Sequence, residues 1–106
     1  MIKLIGNQTE LSDELNKAGD KLVVLDFFAT WCGPCKRMGP IMETVSQQFK
    51  NVVFLKVDVD ENIETSMKYE ITSMPTFLFF KKKEVVERFS GSAKDKVISI
   101  IDRLTS

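Results

Sequence analysis

Trp31-Cys32-Gly33-Pro34-Cys35-Lys36 holds the only two cysteines of the chain, two residues apart. The apolar run Leu22-Val23-Val24-Leu25-Asp26-Phe27-Phe28-Ala29 precedes it, and an amphipathic segment begins directly after it. Two cysteines at this spacing read as a redox dithiol when a strand delivers them and a helix begins beneath them. A structural zinc site needs four ligands, and a chain with two cysteines and no histidine cannot close one alone. A structural disulfide would close too small a loop to stabilise much. Two cysteines bracketing Gly33-Pro34 at a helix start would also be odd as plain core packing.

Outward from this stretch, periodicity supplies the elements. Ile2 to Ile5 is a first strand. Asn7 and Glu10 have the form of a capping box, Leu11, Leu15 and Ala18 share a helical face, and Gly19 sits where that helix would end. Leu22 to Ala29 is continuous rather than alternating, as in a central strand covered on both faces, and Asp26 is its only charge. Met38, Ile41, Met42, Val45 and Phe49 recur at helical spacing, which predicts a long helix over Pro34 to Phe49. Pro34 suits its first turn, whereas Pro40 removes a backbone bond and is expected to kink it. Val52 to Val59 is a third strand, and Asn62 to Tyr69 a short helix with Asp60 or Asn62 as its cap. Thr76 to Phe80 and Val85 to Phe89, joined by a short polar turn, form an antiparallel hairpin. Ser92 with Asp95 would cap a last helix whose face is Val97, Ile98, Ile101 and Leu104. The order βαβαβαββα predicts an α/β fold, with a mixed five-stranded sheet flanked by four helices.

At 106 residues, 43% hydrophobic and 28% charged, the chain is expected to form a single domain over 1–106. Fifteen basic and fifteen acidic residues cancel, so no global field draws it to nucleic acid or to an anionic membrane surface. Met1 to Asn7 shows no apolar signal core, and no stretch approaches membrane-spanning length. A reducing cytoplasm is the expected location.

Cys32 lies at a helix N-terminus, where unpaired N–H groups and the helix dipole favour negative charge, so its thiolate should form more readily than a free thiol's. Cys35, one turn on, can resolve a mixed disulfide, and it is expected to be the less exposed of the two. Asp26, a carboxylate in an apolar strand, should have its pKa raised by desolvation and could exchange a proton with Cys35 through water. The bland alternative is a strand-end aspartate that caps a neighbour. Lys56 is either its partner or a side chain that faces water. Trp31 is a core aromatic or an exposed platform. Pro75 reads as trans from sequence, since most X–Pro bonds are. Lys81-Lys82-Lys83 reads as a solvated turn, and Asp58, Asp60 and Glu61 as strand-end and capping charges.

With Trp31 to Lys36, the buried Asp26, Met74-Pro75-Thr76 and Gly91 in place, the whole chain resembles the thioredoxin family, in its small cytosolic eukaryotic form. The resemblance implies the thioredoxin fold, a cis Pro75 facing the cysteines, and a substrate groove of Trp31, Gly33, Pro34, Met74, Thr76 and Gly91. It implies a protein-disulfide reductase in which Cys32 attacks and Cys35 releases the product, with Asp26 in acid/base support. The implied partners are an NADPH-dependent thioredoxin reductase and disulfide-containing proteins such as peroxiredoxins or ribonucleotide reductase. The chain would act as a monomer and bind no cofactor or metal itself. Rival readings share its chemistry: a secretory oxidase or isomerase, opposed by Gly33-Pro34, and a binding module switched by the dithiol. Two departures stand out. Asn62, Tyr69 and Ser73 occupy positions where many animal relatives carry extra cysteines, which excludes regulation through those thiols. Lys83 replaces a usual turn glycine, and an altered turn is expected there.

Overall fold

The computed structural model describes residues 1–106. Its strands are β1 (Lys3–Leu4), β2 (Val23–Phe28), β3 (Val53–Asp58), β4 (Thr76–Lys81) and β5 (Glu84–Ser90). The helices are α1 (Gln8–Ala18), α2 (Gly33–Gln48), α3 (Ile63–Lys68) and α4 (Lys94–Thr105). One sheet runs in the order β1-β3-β2-β4-β5. β1 and β2 pair parallel with β3, while β4 runs antiparallel to both β2 and β5. The expected element order and mixed sheet are therefore present.

Strand parity divides the core. Val24 and Phe77 pack with Met38, Met42 and Val45 of α2 and Val97 and Ile101 of α4. Val23, Leu25, Phe27 and Leu78 point the other way and pack with Leu11 and Leu15 of α1. Asp26 shares its side of β2 with Val24, two residues away, so its carboxyl points toward α2. Its register partners are Lys56 on β3 and Phe77 on β4. Asp26 thus sits inside the strand rather than at its end.

Several local expectations need correction. β1 is only two residues long, and it is Ile5 beyond it that is buried. Asn7 does cap α1 by accepting from Glu10 N, but the Glu10 carboxylate reaches past it to the Gly6 N–H. α3 starts without a side-chain cap, because Asn62 donates instead to the Asp58 carbonyl. Ala93, not Ser92, is the N-cap position of α4, and Ser92 accepts from Arg37.

The hairpin turn is not altered. Lys82 and Lys83 have φ of 50° and 70°, so both occupy the left-handed region that a two-residue hairpin turn demands. Lysine accepts there a strain that glycine would avoid, on the order of 1 kcal/mol per residue.

Candidate active site

The dithiol is placed by the exit from β2. The chain turns through Ala29, whose carbonyl accepts from Cys32 N, and Cys32 becomes the N-cap of α2. Its Sγ accepts from Cys35 N at 3.2 Å, filling the role that a serine or aspartate oxygen plays at an ordinary helix start. The sulfur therefore meets an N–H at the positive end of a sixteen-residue helix. Pro34 stands in the first turn, where its missing N–H leaves nothing unpaired. Cys32 and Cys35 are joined as a disulfide, with Cα atoms 5.3 Å apart.

The two cysteines are 6% and 8% exposed, so the expected contrast in burial is absent. Cys32 is covered from the side of the loop between α3 and β4. Its Sγ lies 3.6 Å from the Met74 carbonyl, and Met74 packs against the small cluster of Ala29, Cys32 and Cys35.

Asp26 lies behind the pair. It is 7% exposed, and its Oδ1 has no hydrogen-bond partner. Burial pushes the carboxyl up to about 7, and the Lys56 ammonium pulls it only part of the way back. No ion pair joins the two, and the Lys56 Nζ stands 5.8 Å from the Phe28 ring centroid. Asp26, Cys35 and Lys56 line one open cleft of about 320 Å³, together with Phe28, Ala29, Thr30, Lys36 and Gly39. That volume admits several waters, and Asp26 is among the residues lining it, although its unpartnered Oδ1 is sealed from solvent.

The outer rim gathers most of the expected groove. Trp31 is 66% exposed and so is not a core aromatic, and Gly33 and Pro34 are exposed beside it. The Met74–Pro75 bond is cis, as the family resemblance implied, and Pro75 itself is buried. Gly91 closes the rim by donating its N–H to the Pro75 carbonyl at 2.9 Å. Its φ of 134° is one that a side-chain-bearing residue rarely adopts, so this position needs glycine.

Thr76 does not border the groove. It is fully buried, its Oγ1 donates to the Ser73 carbonyl at 2.6 Å, and its strand pairings to Phe27 and Ser90 occupy it from both sides. It holds the loop from beneath. Asp60 is a rim residue that sequence reasoning took for a capping charge. Its Oδ2 accepts from the Trp31 indole N–H at 2.8 Å and so fixes the ring's direction. Nothing local could have revealed a bond across 29 positions.

A two-cysteine helix start over a buried carboxyl, beside a cis proline, defines a dithiol–disulfide oxidoreductase of the protein-disulfide reductase kind. The thioredoxin family model matches residues 3–103. The chain belongs to the thioredoxin family. It is 47% identical to human thioredoxin over 104 residues, covering 98% of this chain and 99% of that protein, and horse thioredoxin matches equally well. Among solved structures, Fasciola hepatica thioredoxin superposes with a TM-score of 0.94 at 40% identity, covering 95% of this chain and 97% of that one. A poplar thioredoxin h gives 0.95 at 31% identity over 99% and 96%.

Proposed function

We propose that the protein reduces disulfides of other proteins through Cys32 as nucleophile and Cys35 as resolving thiol, with Asp26 as the proton acceptor and donor. The observation that carries this reading is the capping bond from Cys35 N to Cys32 Sγ, which favours negative charge on that sulfur and not on its partner. The Cys32 thiolate attacks one sulfur of the substrate disulfide, forming a mixed disulfide and releasing one substrate thiolate. Cys35 then loses its proton through water to Asp26 and attacks the Cys32 sulfur. That step releases the second substrate thiolate and closes the Cys32–Cys35 bond. Two electrons pass from the dithiol to the substrate. A carboxyl near neutrality suits this exchange, since it is found in both protonation states at working pH.

The groove of Trp31, Gly33, Pro34, Met74 and Gly91, with cis Pro75 beneath it, would take an extended segment beside the Cys32 sulfur, with backbone pairing giving breadth rather than narrow choice. Thioredoxin reductase would restore the dithiol with NADPH, and peroxiredoxins or ribonucleotide reductase would be among the substrates. In this reading the protein works in the cytoplasm as a monomer, and it needs no bound cofactor because its own sulfurs hold the electron pair. No helix is long and apolar enough to cross a membrane.

The test is the dithiothreitol-driven reduction of insulin disulfides. The intact protein should accelerate it, and Cys32→Ser should lose that acceleration by about 100-fold or more. Retained acceleration in the variant would overturn the assignment of Cys32.

A further inference from the structure

The end of β5 holds the loop from α3 to β4 at both of its ends. Arg88 stands opposite Leu78 in the β4–β5 register, and Leu78 faces the α1 side of the sheet. The Arg88 side chain therefore extends over that side and reaches the C-terminal end of α3. There Nη1 donates to the Tyr69 carbonyl at 2.7 Å and Nη2 to the Glu70 carbonyl at 2.8 Å. Carbonyls at a helix end lack partners of their own and favour a cation, and a planar guanidinium can serve two of them at once. Glu70 has φ of 53°, a left-handed conformation that a non-glycine residue takes at a cost, so a fixed bond to its carbonyl opposes relaxation.

The other end is fixed independently. Ser90 Oγ lies 2.8 Å from Thr76 Oγ1, which itself donates to Ser73 O, and Gly91 N donates to Pro75 O. Between the two anchors runs 71–72, where Ile71 N also donates to Ser66 O, and Met74, flanked by the held Ser73 and Pro75 carbonyls, carries its own carbonyl 3.6 Å from Cys32 Sγ.

We propose that Arg88 is a positioning residue for protein disulfides. Its two bonds reinforce the far end of this loop beside the bond from Ile71 N to Ser66 O, and through the loop they steady the backbone of Met74 along which an extended substrate must lie. The proposal deepens the reductase reading and rests on it. A small disulfide needs only the Cys32 sulfur, so the clamp is silent toward it. An extended chain needs the Met74 backbone as well. Loosening the clamp removes binding shared by ground and transition states, which appears in KM and leaves kcat alone.

The experiment compares the intact protein with Arg88→Met and Arg88→Lys, using oxidised insulin and a small aromatic disulfide, alongside hydrogen exchange of the bonded amides of Tyr69, Glu70 and Ile71. Arg88→Met should raise KM for insulin about fivefold, the change that one ordinary net hydrogen bond carries, with kcat and the small-disulfide rate unchanged. Exchange at the three amides should quicken. Arg88→Lys keeps the charge with one reach instead of two and should fall between. An unchanged KM overturns the proposal whatever the exchange does, and so does equal slowing toward both disulfides, which would place the effect at the cysteines. Should the intact protein fail to reduce insulin at all, the reductase reading falls by itself, and unchanged exchange at the three amides then overturns the clamp.

Discussion

Asp26 on β2 and Glu14 on α1 are both acids, and the fold moves them in opposite directions. Glu14 is partly covered, its side chain 14% exposed, with the Lys3 ammonium 2.6 Å away and the Lys17 ammonium at 3.5 Å. The hydrogen bond and charge of Lys3 hold its carboxyl below the ordinary range. Asp26 has a lysine beside it in register but no bond to it, and burial carries its carboxyl up to about 7. The contrast separates two uses of an acidic residue. A pair open to solvent on its lysine side shares its charge with water and steadies a helix slightly. A buried, unpartnered carboxyl strains the fold and gains a proton affinity that thiol chemistry at neutral pH can use.

The two acids therefore impose opposite slopes on stability. Between about pH 4 and pH 7 native Asp26 keeps a proton that the unfolded chain has lost, so stability falls as pH rises through that window. A rise from the ordinary 3.8 to about 7 amounts to roughly 4 kcal/mol at alkaline pH. The largest break in the comparison is Asp26→Asn in the disulfide form. Chemical denaturation at pH 8.5 should show a gain of about 2 to 4 kcal/mol, shrinking toward nothing at pH 4. A gain independent of pH would mean that shape, not ionisation, sets the cost.

The same variant should slow release of the mixed disulfide by about tenfold at neutral pH, measured in single turnover, while the first attack by Cys32 stays near its original rate. Equal effects on the two steps would remove Asp26 from the Cys35 proton path. A gentler change is Lys56→Met. Lys56 is the charge that holds the Asp26 carboxyl down, so its loss should move the carboxyl titration, followed by NMR, above that of the intact protein. A downward move would contradict the electrostatics. Smallest of all is Glu14→Gln. Its carboxyl is depressed, so its contribution is present above the unfolded value of 4.5 and disappears as pH falls through the folded one. Exposed pairs contribute little, so thermal unfolding should shift only slightly at neutral pH and not at all in molar salt.

Much of this contrast was legible in the sequence. Asp26 is the one charge in an eight-residue apolar run, and the cysteine spacing after it has few other uses. Hydrophobic period gave the order of elements because each face of the sheet needs a covering helix. What stayed hidden are bonds between residues far apart in the chain. Asp60 looked like a capping charge and fixes an indole. Thr76 looked like a groove residue and lies beneath it. Arg88 carries no signal of its own in the sequence, since only the register opposite Leu78 brings it to the end of α3. The caps of α3 and α4 failed for a related reason, whereas Asn7 caps α1 as expected. Asn62 and Ser92 have cap chemistry, but nearby groups claimed their side chains first.

The hydrogen bond between Trp31 and Asp60 also gives the molecule an optical signal. The chain has one tryptophan, and the fold places it in water at the mouth of the dithiol with its direction fixed. A partner settling on the groove would carry that single indole from solvent into an apolar contact. Its emission should move to shorter wavelength, so docking at this face can be followed by fluorescence without attaching a label.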